Sequence, residues 1–171
     1  LTFQYTTDEK TLFSGIQKLL PGYFLVIENS KIVIKKYWDI SYNTDYGKNE
    51  KYFTSEINNL VKESLNLHLR SDVPVGSYVS GGIDSSLMQI LSSKIGSNEI
   101  MGFHGKFTEH PGYDESVYAL SSSKSSSSEL KIIDITSKDF FSNMENVIYY
   151  LDYPEAGPGS FPQYMVIIRY I

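Results

Sequence analysis

The 171-residue chain contains no cysteine, and that absence excludes a good deal. Without thiols the chain has no disulfide, no thiolate metal site and no cysteine nucleophile. Histidine is scarce too: His68, His104 and His110 are too few and too spread for a metal centre without cysteine. No apolar run approaches the roughly 20 residues that cross a bilayer, and no basic-then-apolar signal pattern opens the chain. Basic charge is short as well, 15 Lys and Arg against 20 Asp and Glu, for a net charge of −5. A nucleic-acid surface needs clustered cations, so neither nucleic acid nor membrane is expected as a partner, and the expected location is cytoplasmic. What remains, 41% hydrophobic and 20% charged residues, is ordinary globular material with enough length for one good core.

Against that background one string carries chemistry: Ser80-Gly81-Gly82-Ile83-Asp84-Ser85-Ser86. The apolar run ending at Val79 predicts a buried strand before it, and Leu87, Met88, Ile90 and Leu91 predict a helix after it. Two glycines let the backbone bend sharply and turn its N–H groups toward phosphate oxygens. A helix start adds unpaired N–H donors and the positive end of the dipole. The serines can donate further, and Asp84 is a candidate ligand for a magnesium ion bridging phosphates. No lysine follows the glycines, so the Walker pattern is not met. A Ser or Asp at a helix head is also an ordinary cap. It is the full string, set between strand and helix, that favours the anion site.

Residues 1–40 read as a separate unit. Tyr23–Glu28 and Lys31–Trp38 predict two strands around a tight turn at Asn29-Ser30, entered through Pro21-Gly22. Residues 41–50 are polar and turn-rich, a linker. From about Lys51, Phe53, Ile57, Leu60, Val61 and Leu65 recur at helical spacing. Then β and α alternate: strand Val73–Ser80, helix Ser85–Ser93, strand Glu99–Phe107, helix Asp114 to about Ser127, strand Glu129–Ile135 and helix Lys138–Leu151. Ser160 and Gln163 stand at capping-box spacing at the head of a last helix, with Pro162 in its first turn. The alternation predicts an α/β fold, a doubly wound parallel sheet covered on both faces, with ligands beyond the carboxyl ends of its strands. The Ser80–Asp84 loop lies at one such end, and the segment Gly105–Tyr113 follows another.

Some segments read two ways. Ser121–Ser128, seven serines and a lysine, is poor helix material, yet the βαβ pattern calls for a packed helix there; the other option is a loose surface loop. Asp114 and Glu115 either complement a helix dipole or touch magnesium or substrate. His68 reads as a helix-end residue and His104 as a packed strand residue, since a titrating role needs a positioned partner. The Ala156–Ser160 loop is either a substrate loop or a plain connection.

The loop resembles the S-G-G-x-D-S loop of the ATP-pyrophosphatase (PP-loop) synthetases, which cleave ATP between its α- and β-phosphates and activate a substrate as an adenylate. Its surroundings narrow the resemblance. Thr11-Leu12-Phe13-Ser14-Gly15-Ile16, Leu20-Pro21-Gly22 and Tyr37-Trp38-Asp39 are similar to the stretch that ends the glutaminase domain of glutamine-hydrolysing asparagine synthetases. Asp72-Val73-Pro74-Val75-Gly76, followed by the Ser80 loop, resembles the start of that family's synthetase domain. Phe103-His104-Gly105-Lys106-Phe107, Pro111-Gly112-Tyr113-Asp114-Glu115-Ser116 and Ala156-Gly157-Pro158-Gly159-Ser160-Phe161-Pro162-Gln163-Tyr164 resemble a bacterial branch of it.

The resemblance implies an adenine nucleotide alpha hydrolase-like sheet preceded by a β-hairpin remnant of an N-terminal nucleophile glutaminase domain. Residues 1–40 would be the glutaminase end, 41–50 the linker and 51–171 the first part of the synthetase domain. The implied activity is an amidoligase: aspartate attacks ATP to give β-aspartyl-AMP and pyrophosphate, and ammonia from glutamine displaces AMP. ATP and Mg2+ are the implied cofactors, with aspartate and ammonia or glutamine as substrates. Tyr78, Ser80, Gly81, Gly82, Asp84, Ser85, Ser86 and Gly105 are the implied ATP-binding residues, Asp84 also the metal ligand, and no catalytic residue is assigned. The backbone near Tyr78 and Gly105 would line the adenosine site.

Departures from the family pattern are equally specific. The glutaminase cysteine does not occur, the family's second Ser-Gly-rich acidic motif does not occur before Ile171, and Tyr153 stands where this branch carries a glutamate. The expectation is an interior fragment, inactive by itself, whose partly uncovered sheet admits packing borrowed from another chain, a homodimer included. The alternatives are another PP-loop ligase, β-lactam-synthetase-like or tRNA-modifying, and a non-catalytic nucleotide-binding remnant; the acidic balance disfavours tRNA.

Overall fold

A computed structural model describes residues 5–96, 100–109, 111–152 and 159–170. The chain divides into two units, residues 1–47 with 148–157, and residues 48–147 with 158–171.

In the first unit, strands β1 (Tyr23–Glu28) and β2 (Lys31–Lys36) form an antiparallel ribbon in which Glu28 faces Lys31. Asn29 and Ser30 have φ of +49° and +61°, the two left-handed positions of a type I′ turn, whose twist matches that of the strands. β2 ends two residues before the expected Trp38, because the amides of Tyr37 and Trp38 both turn to Gly22 O, at 2.8 and 3.2 Å. Apolar side chains alternate onto both faces of the ribbon, Phe24 and Val26 on one and Leu25 and Ile27 on the other, and all four are exposed.

The second unit opens with α1 (Glu50–His68), capped where Asn49 Oδ1 accepts from Tyr52 N at 3.0 Å. His68 closes it, its Nδ1 2.8 Å from Ser64 O. The apolar stripe of the sequence is present, but it is not covered: no residue of α1 is buried, and Ile57 and Leu60 are 60% and 62% exposed.

Three parallel strands follow in spatial order β3 (Gly76–Tyr78), β4 (Met101–Lys106) and β5 (Leu130–Asp134). The crossovers are α2 (Ile83–Ile95) and α3 (Ser116–Ser126); α4 (Ser137–Leu151) and α5 (Ser160–Tyr170) come after β5. The pleat sorts these helices. Ser77 and Gly102 share the face on which Gln89 of α2 lies: Ser77 Oγ donates to Gln89 Oε1, and Gln89 Nε2 donates to Ile100 O at 3.2 Å. Phe103 points the other way, onto Tyr170 of α5, with ring centroids 5.3 Å apart. α3 packs beside α2, with Ser122 Oγ donating to Ser86 O at 3.5 Å, and α4 meets α5 through Phe140 and Phe161. The parallel sheet is thus covered on both faces, and its core is Val79, Ile100, Ala119, Ile133, Ile135, Val147, Phe161, Met165 and Val166.

Several boundaries move. β3 is three residues long instead of the expected Val73–Ser80; Pro74 has no amide to give, and the ladder stops after Val79. α2 begins at Ile83, two residues before the expected Ser85, so Asp84 lies inside its first turn. α3 begins at Ser116, because the Asp114 carboxylate accepts from Ser116 N at 3.0 Å and holds residues 114 and 115 outside the helix. α5 takes in Ser160, and Gln163 N reaches back to Gly159 O at 3.5 Å. The serine run is helical through Ser126, and Ser127 at φ +53° ends it in a left-handed cap. Ser122 and Ser123 are buried: side chains this small let α3 approach its neighbours closely, which offsets their poor propensity.

Candidate functional site

The Ser80–Ser86 loop leaves the carboxyl end of β3 and becomes the first turn of α2. Gly81 carries φ +95°, and a Cβ there would lie 2.9 Å from Glu115 O and 3.2 Å from Tyr118 Cβ. Only glycine meets both demands, the left-handed backbone and the close approach of α3. The loop is braced from within. Ser80 N donates to Ser85 Oγ at 3.2 Å, Gly82 N to Ser80 Oγ at 3.3 Å, and Ser85 Oγ to Gly82 O at 3.2 Å; the two hydroxyls are 2.9 Å apart. The hydroxyls of Ser80 and Ser85 thus bond within the loop.

Ser86 N bonds to Gly82 O at 3.1 Å, while the amides of Ile83, Asp84 and Ser85 find no acceptor among the described residues. Three convergent N–H groups at the positive end of a 13-residue helix attract an anion. Asp84 and Ile83 are exposed there, Ile83 at 86%.

A cavity of about 270 Å³ opens beside the loop beyond the carboxyl ends of β3 and β4. It brings Tyr78, Ser80 and Gly105 together with Glu115 and Gln163. Gly81, Gly82, Asp84, Ser85 and Ser86 do not line it; they form the adjoining turn. Tyr78 OH donates to Gln163 O at 3.4 Å, and burial raises its phenol above the ordinary value. Glu115, which the sequence left open between a helix-dipole group and a contact to magnesium or substrate, is a wall residue of this cavity. Its signal was the close packing demanded by Gly81, which the sequence does not display.

His104 lies 3% exposed beneath this end of the sheet, as a packed strand residue should, with Nδ1 2.7 Å from Val79 O. A carbonyl only accepts, so Nδ1 is the donor in this contact; Nε2 has no partner among the described residues. A second, apolar cavity of about 580 Å³ lies past β5 among Phe107, Ile135, Phe140, Phe141 and Phe161; Gly159 of the Ala156–Ser160 loop also lines it, and none of the implied ATP-binding residues does.

Among the described residues no cluster of three or more His, Asp or Glu side chains could cage a metal by itself, and no helix is long and apolar enough to cross a membrane. Tyr153, His110 and most of the Ala156–Ser160 loop lie outside the described residues.

The asparagine synthase family profile matches residues 56–169, which takes in the loop, the cavity and all three parallel strands. Asparagine synthetase (glutamine-hydrolyzing) 1 of Bacillus subtilis is 30% identical over 173 residues, covering 97% of this chain and 26% of that protein. Amidase chry2 of Gibberella zeae is 26% identical over 167 residues, 88% of this chain and 25% of that protein. Amidase chyE of Penicillium rubens is 26% identical over 164 residues, 86% of this chain and 24% of that protein. The chain spans about a quarter of the length of the curated relatives it matches.

Proposed function

The chain belongs to the asparagine synthase family, and on that premise we propose that it is the nucleotide-binding part of an ATP-dependent amidoligase that activates aspartate as its β-adenylate. The observation that carries the reading is the Ser80–Ser86 turn: three helix-start amides without acceptors among the described residues, around a glycine held at φ +95° against Glu115 and Tyr118. Such a turn stabilises the charge on departing pyrophosphate by preorganised dipoles, and the chemistry needs little else from the protein at that point.

The adenosine would occupy the 270 Å³ cavity, against Tyr78 and the backbone of Gly105, and the phosphates would reach the amides of Ile83, Asp84 and Ser85. Magnesium fits the donor set. It keeps several waters and takes one or two carboxylates plus phosphate oxygens, so the single exposed carboxylate of Asp84 suffices at this turn. The ion would neutralise phosphate charge; the chain's own residues position the ends of the nucleotide. Residues 1–40, with their hairpin, fit the end of a glutaminase domain, residues 41–50 a linker, and residues 51–171 the first part of the synthetase domain. Ammonia delivery and completion of the aspartate site fall to parts of the longer family proteins.

Titration with Mg-ATP tests the assignment of Asp84. Asp84→Ala should weaken Mg-ATP binding by about tenfold, the effect of one lost charge-assisted contact, and leave metal-free ATP binding nearly unchanged. Equal Mg-ATP affinity in the two proteins would remove Asp84 from the site.

A further inference from the structure

We propose that His104 is a positioning residue of the nucleotide site: its Nδ1–H ends the β3–β4 ladder one step early and so keeps the peptide edge of Gly105 open to the base. The inference rests on the nucleotide reading above and concerns a residue that reading does not use.

The ladder itself gives the argument. Gly102 N donates to Glu129 O at 2.8 Å, and Lys106 O accepts from Ile135 N at 2.8 Å, so the even-numbered peptides of β4 face β5. The odd-numbered ones face β3, as Phe103 O does in taking Val79 N–H at 2.8 Å. A parallel ladder continued by one step would join Gly105 N–H to Val79 O. That carbonyl instead takes the imidazole Nδ1–H at 2.7 Å. Gly105 N–H and C=O then have no partner among the described residues, and they border the 270 Å³ cavity. A Cβ on Gly105 would come within 2.8 Å of Ile135 Cδ1, the end of a buried side chain that would have to shift to admit it.

One histidine therefore does two things at once. It anchors the last strand residue before the Ser80 turn, and it diverts the acceptor that would otherwise close the edge. The exposed edge offers one donor and one acceptor in a groove, the complement of adenine N1 and N6–H. Hypoxanthine presents the reverse, N1–H and a carbonyl, and fits it poorly.

The test compares the wild-type chain, His104→Leu and His104→Asn, titrated with Mg-ATP and Mg-ITP. Asparagine retains a side-chain N–H close to where Nδ1–H sits; leucine retains only bulk. His104→Leu should weaken ATP by about tenfold and bring ATP and ITP affinities within about threefold of each other, while His104→Asn recovers most of the preference for ATP. Long-range proton–nitrogen NMR on the wild type should show His104 protonated at Nδ1. An Nε2-protonated ring, an ATP/ITP ratio unchanged in the leucine variant, or an asparagine variant no better than leucine would each overturn the proposal. If His104→Leu fails to fold, the tautomer and the asparagine variant decide it. A wild type that binds neither nucleotide while His104 is protonated at Nδ1 would overturn the nucleotide reading instead, leaving the ladder geometry intact.

Discussion

At the scale of single residues, Gly81 and His104 show how differently a site can be written. The Ser-Gly-Gly string can be read directly, because a phosphate turn needs residues with a recognisable composition. What cannot be read is which contacts those residues make. Ser80 and Ser85 bond each other, and the left-handed Gly81 is set by Glu115 and Tyr118, distant in the chain. Gly81→Ala therefore faces two penalties, an L residue at φ +95° and a contact of 2.9 Å with Glu115 O. It should cost about 1–3 kcal/mol in chemical denaturation, the usual size of enforced backbone strain, and abolish measurable ATP binding. A stable variant with intact binding would show that the turn relaxes without harm. His104 carries no such signature in the sequence: a strand histidine looks the same whether its ring packs or replaces a ladder bond.

Among elements, α4 is the most legible and the serine run of α3 the least. The head of α4 is a reciprocal cap: Thr136 N donates to Asp139 Oδ2 at 2.9 Å, and Asp139 N to Thr136 Oγ1 at 3.2 Å, with Arg169 of α5 3.0 Å from Oδ1. The Thr136 hydroxyl first, then its amide and the Arg169 charge, hold the Asp139 carboxyl below its ordinary value. Asp134, through Thr108, and Asp114, through Ser116, are lowered as well. A depressed carboxylate stabilises the fold above its unfolded pKa of about 4, and that contribution is lost as pH falls through the folded value. The thermal midpoint should therefore drop as pH is lowered from about 5 to 3, and Asp139→Asn should make the drop shallower. A variant whose midpoint follows pH as steeply as wild type would take Asp139 out of the linkage. In α1 the apolar spacing correctly gives a helix, but spacing says nothing of what covers a face, and here none of it is buried. The serine run fails in the opposite sense: weak propensity is overridden by close packing that only small side chains permit.

On the scale of the whole molecule, the chain order of strands and helices is legible, and with it the parallel sheet and the place of the site at its carboxyl ends. The right-handed crossover rule makes that step short. Which face each helix covers required the pleat of β4. Exposed apolar surface is the molecule's other large-scale trait: Ile57 and Leu60 on α1, Phe141 on α4, and both sides of the β1–β2 ribbon. Exposed apolar surface of this kind favours association. Leu60→Lys, at a site 62% exposed, should leave unfolding free energy within about 0.5 kcal/mol of wild type and lower self-association in sedimentation velocity. A loss of stability with unchanged association would place Leu60 in a packed core.

The two-residue turn at Asn29-Ser30 also sets a timetable. The ribbon's widest pair, Tyr23 with Lys36, is joined by one tight loop, whereas Gly76 meets Met101 and Gly102 meets Leu130 only after a whole crossover helix has formed. Hairpins close in about 1–10 μs, and non-local parallel pairing is far slower. During refolding the ribbon is thus available as a two-sided sticky strip while the parallel sheet is still searching for its register. Refolding yield should fall as chain concentration rises, and Ile27→Lys, which blunts one side of the strip, should restore it.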